Sequence, residues 1–83
     1  MKNVNISTNK LLNNDRGIYL FSSENNTISN NNASNNDYAG IFLQASSENN
    51  ITENTALFDG QGIRLYAFSN NNNIIKNTAS YND

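Results

Sequence analysis

Gly17-Ile18-Tyr19-Leu20-Phe21-Ser22-Ser23-Glu24-Asn25-Asn26-Thr27-Ile28-Ser29-Asn30-Asn31 is a phrase that this 83-residue chain repeats with variations. Its opening, Gly-Ile-x-Leu, returns as Gly40-Ile41-Phe42-Leu43 and as Gly62-Ile63-Arg64-Leu65. Its close returns at a step of 23 residues: Ile28, Ile51 and Ile74; Asn31, Asn54 and Asn77; Ala33, Ala56 and Ala79. A partial copy precedes them, with Ile6, Asn9 and Leu11 matching Ile28, Asn31 and Ala33. Self-similarity at a period of this size is the mark of a stacked solenoid.

Inside one copy the hydrophobic period is two. In Gly40-Ile41-Phe42-Leu43-Gln44-Ala45, Ile41, Leu43 and Ala45 alternate with Phe42 and Gln44, as in a strand with one face in a core. Ser46 to Asn49 reads as a turn. Asn50-Ile51-Thr52 reads as a second strand, and a third begins at Asn54-Thr55-Ala56. One strand offers only one or two inward residues, so the rungs must stack. The fold class expected is all-β: a right-handed, single-stranded parallel β-helix of about three and a half rungs of 22–23 residues, with three short strands per rung. Residues 1–83 form a single segment, a fragment of or module within a longer solenoid. A leucine-rich repeat has an overlapping period but needs more leucines and a helical or extended return segment.

Asparagine makes up about a quarter of the chain, and its spacing assigns much of it to corners. Asn9, Asn31, Asn54 and Asn77 would lie above one another as a structural ladder, and Asn14, Asn36, Asp59 and Asn82 as a second. Asn and Asp suit left-handed turns, and stacked amides bond from rung to rung.

Composition removes several functions. There is no Cys or His, so neither a disulfide framework nor a thiolate or imidazole metal site can be built. Five Lys and Arg, scattered in a chain of net charge −2, form no basic stripe for nucleic acid. No apolar run is long enough to span a membrane, and the start, Met1 to Ile6, has no apolar core of a secretory signal.

The phrase from Gly17 to Asn31 resembles the repeats of NosD-like right-handed β-helix proteins, within the wider group of carbohydrate-binding and sugar-hydrolase (CASH) β-helices. The resemblance covers nearly the whole chain and rests on core and turn residues, so it speaks for fold more than for activity. It implies an extracellular, cell-surface or periplasmic location. Relatives of this kind include proteins linked to copper-site assembly, surface proteins and polysaccharide-cleaving enzymes. With no His, no Cys and one Met, a soft copper site has nothing to build on here, and no cofactor is expected.

Two groups of residues are left over. The Gly-Ile-x-Leu strands place Tyr19, Phe42 and Arg64 in one outward column and Phe21, Gln44 and Tyr66 in the next. Aromatic rings on a flat sheet suit the apolar faces of sugars, and Arg64 suits a uronic carboxylate; they suit packing against another chain equally. Asp15, Asp37 and, across a one-residue gap, Asp59 recur near one turn, with Asp83 in the last copy. Such a column could hold Ca²⁺ or supply the paired acids of a glycosidase; the alternative is that Asp favours the turn itself. No nucleophile–base pair is identifiable. The expected function is a non-catalytic structural or binding segment that contacts polysaccharide through its outer aromatic face. The alternatives are a fragment of a polysaccharide lyase or hydrolase, and a module that self-associates end to end or stacks on flanking rungs.

Overall fold

A computed structural model describes residues 1–82. Eleven strands follow one another: β1 (Asn5–Ser7), β2 (Lys10–Leu12), β3 (Arg16–Phe21), β4 (Thr27–Ser29), β5 (Asn32–Ser34), β6 (Ala39–Gln44), β7 (Asn50–Thr52), β8 (Thr55–Leu57), β9 (Gln61–Tyr66), β10 (Asn73–Ile75) and β11 (Thr78–Ser80). Each of the first eight pairs in parallel with the strand three positions later, giving sheets β1-β4-β7-β10, β2-β5-β8-β11 and β3-β6-β9. The result is a parallel β-solenoid with three strands per turn. No helix occurs among the described residues, and three sheets replace the return segment that a leucine-rich repeat requires.

Register turns the repeats into columns. Ile6, Ile28, Ile51 and Ile74 stack on one wall; Ile18, Ile41 and Ile63 stack beside Leu20, Leu43 and Leu65 on another. Leu11 over Ala33 and Ala56 over Ala79 line the third. The middle turn is driest, with Ile28, Ala33, Ile41, Leu43, Ile51 and Ala56 fully buried. Adjacent parallel strands lie about 4.8 Å apart, so each side chain touches its copies above and below. This is why small and branched apolar residues recur at fixed steps.

The corners follow one rule. Each has a residue with positive φ, and the next residue points inward. Thr8, Asn30, Glu53 and Lys76 are left-handed, and Asn9, Asn31, Asn54 and Asn77 follow them; Asn13, Asn35, Phe58 and Tyr81 are left-handed, and Asn14, Asn36, Asp59 and Asn82 follow. The ladder asparagines are therefore not the left-handed residues, as turn chemistry alone suggests; their predecessors are. Asn31 gives both its backbone N–H and its Nδ2 to Asn54 Oδ1, each at 3.0 Å, and Asn54 does the same to Asn77 Oδ1.

The stretch from Ala45 to Asn49 departs from the expected strand and turn. Ala45 has φ 52°, so β6 stops at Gln44 and Ala45 sits on the corner rather than in the core. Ser46 and Asn49 are fully buried. They belong to two further ladders. Ser23 N–H donates to Ser46 Oγ and Ser46 N–H to Ser69 Oγ, both at 3.0 Å. Asn26 donates to Asn49, and Asn49 to Asn72.

Rung length is not constant, and the departures are local. Between rungs the step is 22 residues from Asn14 to Asn36 but 23 from Arg16 to Ala39. It is 23 from Asn36 to Asp59 and 22 from Ala39 to Gln61. Tyr38 is thus a single residue inserted into the middle turn, with no counterpart in the turns on either side. A second insertion lies near Ala67 and Phe68, both left-handed, after which Ser46 and Ser69 are again 23 apart.

Candidate functional site

The outer face of sheet β3-β6-β9 carries the largest group of side chains that the core does not explain. Tyr19, Phe42 and Arg64 are aligned across it, as are Phe21, Gln44 and Tyr66. Phe42 points outward but is only 3 % exposed, so it is not an open platform. Neighbouring rings cover it: Tyr19 at 5.2 Å edge-on, Tyr38 at 5.4 Å and Tyr66 at 6.3 Å. The rings left open are Tyr19, Phe21 and Tyr66.

Both arginines of the chain converge here. The Arg16 guanidinium carbon lies 4.7 Å from the Tyr38 ring centre, 5.0 Å from Tyr19 and 5.2 Å from Phe42. Arg64 sits on the other side, 5.2 Å from Tyr66 and 5.7 Å from both Tyr38 and Phe42. A cation within about 6 Å of a ring face is held by the ring quadrupole. Hydrogen bonds fix the rim. Arg16 pairs with Asp15 at 2.9 Å, Arg64 donates to Gln61 at 2.9 Å, and the Tyr19 hydroxyl donates to Gln44 at 2.6 Å. An acidic chain has gathered its two guanidinium groups around one aromatic cluster.

Arg16 and Tyr38 were not among the sequence candidates. Arg16 has Ala39 and Gln61 as its register partners, so no column marks it. Tyr38 is the inserted residue. Its only signal is the unequal spacing of Gly17, Gly40 and Gly62.

The aspartates do not form one column. Asp37 N–H bonds to Asn14 O and Gly60 N–H to Asn36 O, so Gly60 occupies the place above Asp37. Asp15 and Asp37 are exposed at the outer turn, whereas Asp59 is buried in the inner ladder between Asn36 and Asn82. The gapped alignment of Asp59 with Asp15 and Asp37 is wrong by one residue, which separates Asp59 from the other two supposed calcium ligands. No group of three or more His, Cys, Asp or Glu able to hold a metal occurs among the described residues. Asp83 lies outside them. Burial raises the Asp59 pKa from 3.8, opposed by hydrogen bonds from the Asn36 backbone and side chain.

The sequence profile of the family described as "Periplasmic copper-binding protein (NosD)" matches residues 1–83. The chain belongs to the NosD family. No curated protein and no solved structure shows a significant match to it. The copper in the NosD description finds no site here: soft metals take thiolate, thioether or imidazole ligands, and this chain has no Cys or His and a single, exposed Met1. What this NosD-family chain shows is a solenoid wall with a cationic aromatic patch. No helix among the described residues is long and apolar enough to cross a membrane.

Proposed function

We propose that this chain is a non-catalytic segment of a longer periplasmic or surface β-helix, and that its β3-β6-β9 face contacts polysaccharide. The observation that carries this reading is the clustering of Arg16 and Arg64 around Tyr38 and Phe42, with the exposed rings of Tyr19, Phe21 and Tyr66 beside them. Open rings accept the apolar faces of sugars, and guanidinium groups pair with carboxylates, so acidic sugars are favoured over neutral ones. Family membership supports a binding or structural role and a location outside the cytoplasm.

The test is titration of the isotope-labelled chain with oligouronates and with neutral oligosaccharides of the same length. Shifts confined to Tyr19, Phe21, Arg64 and Tyr66, larger for the uronates and lost in Arg64→Gln, are expected. Folded protein with no shift in either titration would remove the polysaccharide reading and leave a structural role.

A further inference from the structure

Asp59 occupies a position built for an amide. At five interior ladder positions, Asn26, Asn31, Asn36, Asn49 and Asn54, the side chain does the same three things. Its Oδ1 accepts from the turn before it. Its Nδ2 donates back to a backbone carbonyl of that earlier turn: Met1 O, Ile6 O, Leu11 O, Ser23 O and Ile28 O respectively. The same Nδ2 donates forward to the Oδ1 of the next ladder residue. Asp59 keeps the first role, with Oδ1 accepting from Asn36 N–H at 2.8 Å and from Asn36 Nδ2 at 2.9 Å.

The other two roles require a donor, and a carboxylate has none. Asp59 Oδ2 is buried and has no hydrogen-bond partner among the described residues. Ladder register identifies what it faces. Asn36 Nδ2 donates to Leu11 O and Asn82 Nδ2 to Ala56 O, so the carbonyl belonging to Asp59 is that of Ala33, which pairs with Leu11. Gly40 locates both oxygens at one spot: a Cβ there would meet Asp59 Oδ2 at 2.7 Å and Ala33 O at 3.0 Å. Forward of Asp59 stands Asn82 Oδ1, which accepts its backbone N–H at 2.7 Å. An ionised Oδ2, buried as it is, would therefore face acceptors on both sides, an arrangement that disfavours the charged form.

We propose that the ladder holds Asp59 as the neutral acid, a buried proton-binding site in which Oδ2–H supplies one of the two hydrogen bonds that an amide would make. The raised pKa, caused first by burial, agrees with this geometry. The groups around Asp59 add no compensating cation. Asn36 and Asn82 are neutral, and the strand residue set against Asp59 Oδ2, Gly40, has no side chain. Asp37 and Tyr81 are the titratable groups that line the same depression, together with Phe58 and Gly60. Asp83 lies outside the described residues.

Linkage fixes the sign. The folded state holds this proton more tightly than the unfolded chain, so its contribution is complete below the unfolded value of 3.8 and is lost as pH rises through the raised folded value. The third turn is then acid-strengthened, and alkalinisation loosens the corner that carries Phe58 and Tyr81. This site is independent of the polysaccharide reading.

The experiment is a ¹³C-carboxyl NMR titration of the 83-residue chain with thermal melts of wild type and Asp59→Asn across acidic to neutral pH. Asp59 is expected to titrate above 3.8, and the Tm advantage of Asp59→Asn should widen as pH rises. The control Asp37→Asn should leave the wild-type profile in place. An Asp59 midpoint at or below 3.8 overturns the proposal, and that measurement stands even if Asp59→Asn fails to fold. A constant Tm difference across pH, or a pH dependence that vanishes with Asp37→Asn instead, overturns it as well.

Discussion

Tyr38, the residue without a counterpart in the neighbouring turns, places its ring 5.4 Å from the ring of Phe42 and beneath both arginines. Insertion and cluster are thus the same event: the extra residue is extruded onto the outer face, where it buries a phenylalanine that would otherwise face water.

Tyr38→Ala should uncover Phe42 and release Arg16 and Arg64 from one shared ring. Lost aromatic and cation–π contacts are together worth about 1–2 kcal/mol. Urea denaturation should report that loss with unchanged cooperativity, because the core columns do not involve Tyr38. A variant as stable as wild type would show that the cluster contributes nothing to the fold.

The Asn31–Asn54–Asn77 ladder predicts a sharp contrast between two adjacent polar positions. Asn54→Ala leaves Asn31 N–H and Ile28 O without their partners inside the solenoid, which costs about 1–3 kcal/mol for each buried group. Asn50→Ala, exposed on β7, should fall within about 0.5 kcal/mol of wild type. Equal effects at the two sites would mean that the amide column is decorative.

Core truncation should grade along the axis. Ile51 is fully buried in the middle column, so Ile51→Ala should cost about 2–5 kcal/mol. Ile74, one turn on in the same column, is 43 % exposed, and Ile74→Ala should cost distinctly less. Chemical denaturation of both variants measures the gradient directly.

Gly40→Ala tests the crowding around Asp59. Its added methyl would come within 2.8 Å of Gly62 O as well as within reach of Asp59 Oδ2, and backbone cannot swing away. A loss of about 1–3 kcal/mol is expected from such overpacking. Hydrogen exchange should localise it to β6 and β9.

Much of this molecule can be read from its repeats because stacking imposes identical environments at identical steps. Ile28, Ile51 and Ile74 announce a column that the three-dimensional fold then realises, and so do the Gly-Ile-x-Leu strands. The Asn26–Asn49–Asn72 ladder is harder to see. Asn25 precedes the first of these and Asn70, Asn71 and Asn73 crowd the last, while in the first turn the place belongs to Val4, whose N–H donates to Asn26. The burial of Phe42 was not legible at all. Alternation correctly sends its side chain outward, and only the inserted Tyr38 together with side chains from the turns on either side decides that outward is not exposed. Asp59 is the opposite case: its ladder position is plain in the sequence, but the orphaned oxygen emerges only when its five amide counterparts are compared atom by atom.

The two length changes have a consequence for how such a chain can alter over generations. A codon gained at Tyr38 leaves Asn36 above Asp59 and Ile41 above Ile63, because the extra residue is extruded between the Asn36 ladder and the start of β6, both of which keep their partners. An insertion that would shift every downstream side chain in an ordinary sheet is here a local edit, erased within part of one turn. Surface chemistry can accordingly be gained or discarded one residue at a time while the interior inherits no error.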